Sequence, residues 1–238
     1  MCGRFVSSSS ADAISKFFGA SFEGEAPPAN FNVAPTQDVL AVTADAAGER
    51  TVQTFHWGLV PSWAKDVKIG SKMINARSET IAEKPAFKGL FKKHRLLIPM
   101  DGFYEWQPGV EGGPLTKAGK LAKSPMFIHR KDGELLAVAG LWATWRDRTT
   151  GPDAPWLHSC TVITTSANQT MLPVHDRMPV ILPANRWDEW LNPTNDDIAE
   201  LTAMLVPAAN DILTMHPVSS EVNNARNTGP QLIEHVAL

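Results

Sequence analysis

Leu96-Leu97-Ile98-Pro99 is an uninterrupted apolar run, and after Met100 and Asp101 it gives way to Gly102-Phe103-Tyr104-Glu105-Trp106. The run is too short for a helix and is bounded by breakers, so it predicts a buried strand. The aromatic stretch beyond it holds one carboxylate. Aromatic surroundings make ionisation costly, so Glu105 is expected to have a raised pKa and to suit a general acid. A Glu at a strand end that points to water fits the same five residues.

Upstream, Ser10 precedes Ile14, Phe17 and Phe18 at helical spacing, and Gly19 follows, which predicts a capped helix. Residues 20–36 are rich in Ala, Pro and Asn and are expected to form a loop leading to strands at about 37–44 and 51–58. The second strand ends at Trp57-Gly58-Leu59-Val60-Pro61, closely followed by Trp63. Beside these breakers each indole is expected to keep one face open. Ile74-Asn75-Ala76-Arg77-Ser78-Glu79-Thr80 is expected to open a helical region, with Thr80 and Glu83 as a capping box and Pro85 dividing it. Lys84, Lys88, Lys92, Lys93 and Arg95 then form a run without an acidic residue. It is either a solvated helix face or a phosphate-facing patch.

Downstream, residues 108–124 predict a long hairpin loop. Gly119-Lys120 is not a phosphate loop, because Pro114 stands where a glycine is needed and no Ser or Thr follows. Strands are expected at about 125–129, 134–142, 158–165 and 212–218, with Thr194 capping a helix that carries Ile198, Leu201 and Leu205. In Pro173-Val174-His175-Asp176-Arg177-Met178-Pro179-Val180, an imidazole and a guanidinium stand two apart, on one face of an extended backbone. The pair suits a phosphate or acid/base site, and a structural histidine is the alternative.

The chain of 238 residues has a net charge of −3, which excludes a generally basic nucleic-acid binder and leaves only a local patch. No apolar stretch reaches the roughly 18 residues needed to span a bilayer, and the N-terminus has no basic region or apolar run, so a cytoplasmic protein is expected, with no membrane partner. Cys2 and Cys160 are too few for a disulfide framework, and no metal-ligand spacing is present. Met1-Cys2-Gly3-Arg4 carries distinctive chemistry. Removal of Met1 would leave Cys2 with a free α-amine of pKa about 7.7–8.0 beside its thiol. Such a 1,2-aminothiol condenses with an aldehyde to an imine and then closes to a thiazolidine.

Taken together, Cys2-Gly3-Arg4, Asn32 with Pro35, Trp57-Gly58-Leu59-Val60-Pro61, Asn75-Ala76-Arg77-Ser78-Glu79, Gly102-Phe103-Tyr104-Glu105-Trp106, Ala139-Gly140-Leu141-Trp142 and His175-Asp176-Arg177-Met178-Pro179 resemble the SOS response-associated peptidase (SRAP) family. The resemblance runs from residue 2 to about residue 224. It implies a single α+β domain over residues 1–238 with a curved, barrel-like, mostly antiparallel β core and peripheral helices. It also implies a cofactor-free monomer that binds single-stranded DNA containing abasic sites and links Cys2 covalently to the ring-opened sugar aldehyde. Such a protein would be nucleoid-associated when bound to DNA.

By the same resemblance, Cys2 is the nucleophile, and Asn75, Glu105 and His175 complete the site. Arg4, Arg77 and Arg177 suit bidentate phosphate contacts, and Trp57, Trp63 and Trp106 suit contacts with bases. Two other readings stay open: a thiol autopeptidase that removes its own N-terminal residue, and a single-strand binder whose cysteine is incidental. The cross-linker alone requires a free α-amine.

Overall fold

The computed structural model describes residues 2–116, 118–151 and 153–237. Among them the strands are β1 (Phe5–Ser7), β2 (Ser21–Phe22), β3 (Asn30–Val33), β4 (Asp38–Ala44), β5 (Arg50–Trp57), β6 (Asn75–Arg77), β7 (Arg95–Met100), β8 (Gly102–Gln107), β9 (Ser124–Arg130), β10 (Leu136–Trp145), β11 (Leu157–Ser166), β12 (Arg177–Pro179) and β13 (Leu213–Pro217). The α-helices among the described residues are α1 (Ala11–Phe18), α2 (Lys88–Lys93), α3 (Trp187–Leu191) and α4 (Ile198–Ala203).

The apolar run lies in β7, which is buried at every position. Its neighbours explain why. β7 pairs with β10 from Leu136↔Met100 to Leu141↔Arg95 and touches β4 at Val42↔Leu97. β4 pairs with β5, β10 pairs with β11, and β11 meets β5 in parallel at Ser159↔His56 and Cys160↔Trp57. The circuit closes a five-stranded barrel whose only parallel seam is β5–β11. A second, wholly antiparallel sheet runs in the order β13-β9-β8-β1-β3.

Alternation along each strand divides the core. Leu97, Ala137, Ala139, Leu141 and Ile163 pack with Ile14 and Phe18 of α1 and with Trp187 and Trp190 of α3. Leu96, Ile98, Val138, Cys160 and Val162 pack instead with Phe5, Phe103 and Ile128 of the second sheet, and Cys2 belongs to this group.

Several local expectations hold. Ser10 caps α1 by accepting from the Ala13 amide, and Gly19 ends it at φ 59°. The strands expected near 37–44, 51–58, 125–129, 134–142, 158–165 and 212–218 are β4, β5, β9, β10, β11 and β13. Others are overturned by tertiary pairing. Residues 20–36 contain β2 and β3, each recruited by a distant strand. Asn75–Arg77 is not helical, because it pairs in parallel with β11 from Val162↔Asn75 to Thr164↔Arg77. Thr80 and Glu83 form no capping box; the Glu83 amide donates to the Thr80 carbonyl. Asp197 rather than Thr194 caps α4, accepting from the Ala199 and Glu200 amides.

The arm from residue 58 to residue 74 brings Asn75 to its place. It folds back on itself where Gly58, at φ 137°, crosses Gly70; a Cβ on Gly70 would lie 2.5 Å from the Gly58 oxygen. Two glycines allow this contact. Leu59 N–H then donates to Met73 O, and Val162 N–H donates to Ile74 O. Among the described residues, no helix is long and apolar enough to cross a membrane, and no group of three or more His, Cys, Asp or Glu could hold a metal ion.

Candidate active site

Three distant segments meet at Cys2. β1 follows it and pairs with β8 at Phe5↔Phe103 and Val6↔Gly102, and the Tyr104 amide extends the pairing to Arg4 O at 3.0 Å. This register brings the Glu105 end of β8 alongside residues 2–4. From another side Asn75 Nδ2 donates to Cys2 O at 2.9 Å. Asn75 Oδ1 is buried and accepts no hydrogen bond from the described residues.

Cys2 is fully buried. Burial is the main cause that pushes its thiol far above the ordinary range, and the negative charge of Glu105 pushes in the same direction; the positive charge of the chain's N-terminus, and after it the Arg4 amide, oppose them. The resting group is therefore a thiol. Glu105 is buried within an aromatic stretch, with Phe103 and Tyr104 also buried. A water-facing strand-end carboxylate is thereby ruled out.

His175 follows Val174, which shares the Cys2 core group with Met171 and Met178. Its Nδ1 lies 3.0 Å from the Arg177 amide and 2.9 Å from Asp176 Oδ1. One nitrogen cannot serve both at once. Without a proton Nδ1 accepts from the Arg177 amide; with one it donates to Asp176.

The residues expected to contact DNA divide into two groups. Trp63 is 62% exposed, whereas Trp57 is wholly buried. Trp57 is thus not a stacking platform: it packs edge-on against Phe5 and donates its indole N–H to Ile74 O at 3.1 Å, bracing the residue before Asn75. The Trp106 indole donates to Asn223 Oδ1 at 2.6 Å. Arg4 is anchored through Nη1, which donates to Asn32 Oδ1 at 2.8 Å and Val222 O at 2.9 Å. Arg177 grips Glu79 with two nitrogens and Thr164 O at 2.7 Å. Arg77 remains exposed beside Asn75.

Of the basic run, Lys84, Lys88, Lys92 and Lys93 are exposed, and a cleft of about 290 Å³ lies between α2 and Trp63. Arg95 leaves that run: it is buried and donates to the carbonyls of Phe91, Trp190, Asn192 and Asn195.

Two residues were not singled out for any role by the sequence. Glu79 neutralises Arg177 across 98 positions. Asn32 is fully buried and ties Arg4 to the carbonyls of Val222, Asn224 and Asn227. No local signal foretells either, because each partner is remote in the chain.

Residues 1–225 match the family model described as SOS response associated peptidase (SRAP). The chain belongs to the SRAP family. It is 43% identical over 237 residues to the abasic site processing protein YoqW of Bacillus subtilis, covering 98% of this chain and 99% of that one. It is 30% identical over 243 residues to the abasic site processing protein YedK of Escherichia coli, covering 99% and 100%. It is 36% identical over 208 residues to the abasic site processing protein HMCES of Xenopus tropicalis, covering 81% of this chain and 59% of that longer one. The fold matches a crystal structure of a Bacteroides thetaiotaomicron protein with a TM-score of 0.83 at 24% identity, over 99% of this chain and 100% of that one. The curved, mostly antiparallel barrel with peripheral helices is thus the SRAP architecture.

Proposed function

We propose that this protein, acting as a single-domain monomer without a cofactor, captures abasic sites in single-stranded DNA by forming a thiazolidine through Cys2. The observation that carries the reading is the convergence of a buried N-terminal cysteine, the Asn75 amide on its carbonyl and the buried Glu105 carboxyl whose charge it senses. Similarity to abasic site processing proteins supplies the substrate class.

The chemistry follows from these positions. After Met1 is removed, the α-amine of Cys2 attacks C1 of the ring-opened sugar aldehyde. Asn75 orients that amine through its unused Oδ1. Glu105 gives a proton to the departing hydroxyl, and water leaves as the imine forms. The Cys2 sulfur then adds to the same carbon, its proton passing to the Glu105 carboxylate and the imine nitrogen becoming a ring amine. One aldehyde and one aminothiol thus yield one thiazolidine and one water. His175, whose Nδ1 has a partner for each protonation state, serves the opening of the sugar ring. The exposed Trp63 and Arg77 supply a stacking face and a phosphate contact.

A thiol-first peptidase fits less well. It needs a thiolate, and burial of Cys2 disfavours one. An amine-first route requires only the thiol form at rest.

Intact-mass spectrometry on abasic single-stranded DNA tests the reading. The mature protein is expected to give a heat-stable adduct with loss of one water. Cys2→Ser is expected to lose that adduct yet be trapped by borohydride, since it keeps the amine. A full-yield, heat-stable adduct from protein with an acetylated Cys2 amine would refute the condensation route.

A further inference from the structure

The three residues that carry the candidate nucleophile, Cys2, Gly3 and Arg4, precede the first strand. Something other than a full ladder must hold them. On one side Asn75 grips Cys2 O. On the other, the Arg4 guanidinium reaches Asn32 Oδ1 and Val222 O.

Asn32 is the centre of this second attachment. It is wholly buried, and its side-chain amide is fully used: Oδ1 accepts from Arg4, while Nδ2 faces the carbonyls of Val222, Asn224 and Asn227 at 3.0–3.1 Å. Its backbone is fixed as well, the amide donating to Asn30 Oδ1 at 2.7 Å. The turn that supplies those carbonyls closes on itself through Asn227 Nδ2 and Glu221 O at 2.9 Å. The same turn reaches the other strand of the site, because Asn223 Oδ1 accepts from the indole of Trp106, the neighbour of Glu105. Val222 seals the contact from below with Val6, Tyr104 and Leu232.

One C-terminal turn therefore fastens both the segment that bears Cys2 and the strand that bears Glu105. We infer that Asn32 and the turn at residues 222–227 form a positioning clasp, which holds residues 2–4 in register with β8 so that the Cys2 amine and thiol meet Glu105. The reactive importance of that register rests on the function proposed above. Neither Asn32 nor Asn223 touches the reacting atoms; each acts through Arg4 or Trp106. A polar, Asn-rich segment more than 200 positions from Cys2 thus becomes part of the reaction geometry.

The test measures the clasp both with and without DNA. Asn32→Ala removes the centre, and Asn223→Ala, at an exposed position, removes only the Trp106 tether and protects the test against a folding failure. In the free protein, alkylation of Cys2 by iodoacetamide and amide exchange of Tyr104, whose N–H bonds Arg4 O, are expected to rise about tenfold or more in Asn32→Ala and less in Asn223→Ala. Cys160, buried in the barrel, is expected to stay protected in both. With abasic single-stranded DNA at saturation, the rate constant of covalent capture is expected to fall about tenfold or more, as small misplacements of reacting groups do. The final yield and the affinity for an intact strand are expected to stay within about twofold, which sets positioning apart from a loss of folded protein.

Unchanged protection of Cys2 and Tyr104 in both variants would overturn the clasp. So would joint exposure of Cys2 and Cys160, because that reports global loosening. If the wild-type protein forms no adduct while Cys2 protection still depends on Asn32, the proposed reaction fails and the clasp stands.

Discussion

Replacing Glu79 by Gln is expected to strengthen binding to single-stranded DNA, because the carboxylate competes with phosphate for Arg177. The pair is bidentate, with Arg177 Nη2 at 3.0 Å from Glu79 Oε2 and also 2.7 Å from Thr164 O. Gln keeps one acceptor for the guanidinium, turns the other oxygen into an NH2 donor that opposes it, and removes the charge, so Arg177 keeps Thr164 O but is released towards phosphate. Each phosphate neutralised on a single strand adds about 0.7 to the slope of log K against log salt. At about 0.1 M salt, one added contact is therefore worth 10 to the power 0.7, about fivefold in affinity. The wild-type slope from these arginines is expected to be about 0.7, from Arg77 alone, rather than the about 2 that three free arginines would give.

The same substitution has a stability signature with a defined sign. Glu79 is half exposed, so screening limits the pair to about 0.2–1 kcal/mol. Its hydrogen bond to Arg177 holds the Glu79 carboxyl below its ordinary value. The stabilisation is then present above the unfolded carboxyl pKa of about 4.3 and is lost as pH falls through the lower folded value. The difference between wild type and Glu79→Gln in urea unfolding should shrink below about pH 4.3. Fluorescence titrations of a labelled oligonucleotide across a salt series read the binding arm. An unchanged affinity together with an unchanged slope would refute the competition between Glu79 and phosphate.

Further outcomes follow from the same contacts. Glu105→Gln is expected to slow covalent capture about 10²–10⁴-fold in single-turnover assays while binding stays near wild type, and a wild-type rate would make Glu105 purely structural. Trp57→Ala is expected to cost about 3–5 kcal/mol in urea unfolding, because the ring is fully buried. Trp63→Ala should leave stability nearly unchanged and weaken single-strand binding by about 1–3 kcal/mol, so equal stability losses at the two positions would contradict their assignments. Gly70→Ala is expected to destabilise the fold by about 1–3 kcal/mol, because its Cβ would meet the backbone oxygen of Gly58 at 2.5 Å. Chemical-denaturation midpoints check it, and a neutral effect would show that the arm ahead of Asn75 yields easily.

The residues that were legible in the sequence are those whose setting is local. Ser10, Ile14, Phe18 and Gly19 specify α1 within one stretch, and the four-residue apolar run specifies β7 because a strand buried on both faces has no polar side to reveal. Glu105 could be recognised as unusual because its aromatic neighbours are adjacent in sequence. Asn75 and Arg77 read as helical in the sequence, since their strand exists only through Val162, Ile163 and Thr164. The arginines mark the limit most clearly. Arg4, Arg77 and Arg177 are chemically identical in sequence and equally suited to phosphate. The fold gives one to Asn32, one to Glu79 and leaves one exposed. Residue type states what a side chain is able to bind, whereas its partner is set by the closure of β1 on β8 and of β12 on β11. Trp57 differs from its sequence expectation for the same reason: Gly58 does bend the chain, but the indole turns inward, packing on Phe5 and donating to Ile74 O. What reads in the sequence as an exposed DNA contact is a support for the site, so a change at Trp57 should reach it along two routes, through Ile74 to Asn75 and through Phe5 to the segment that bears Cys2.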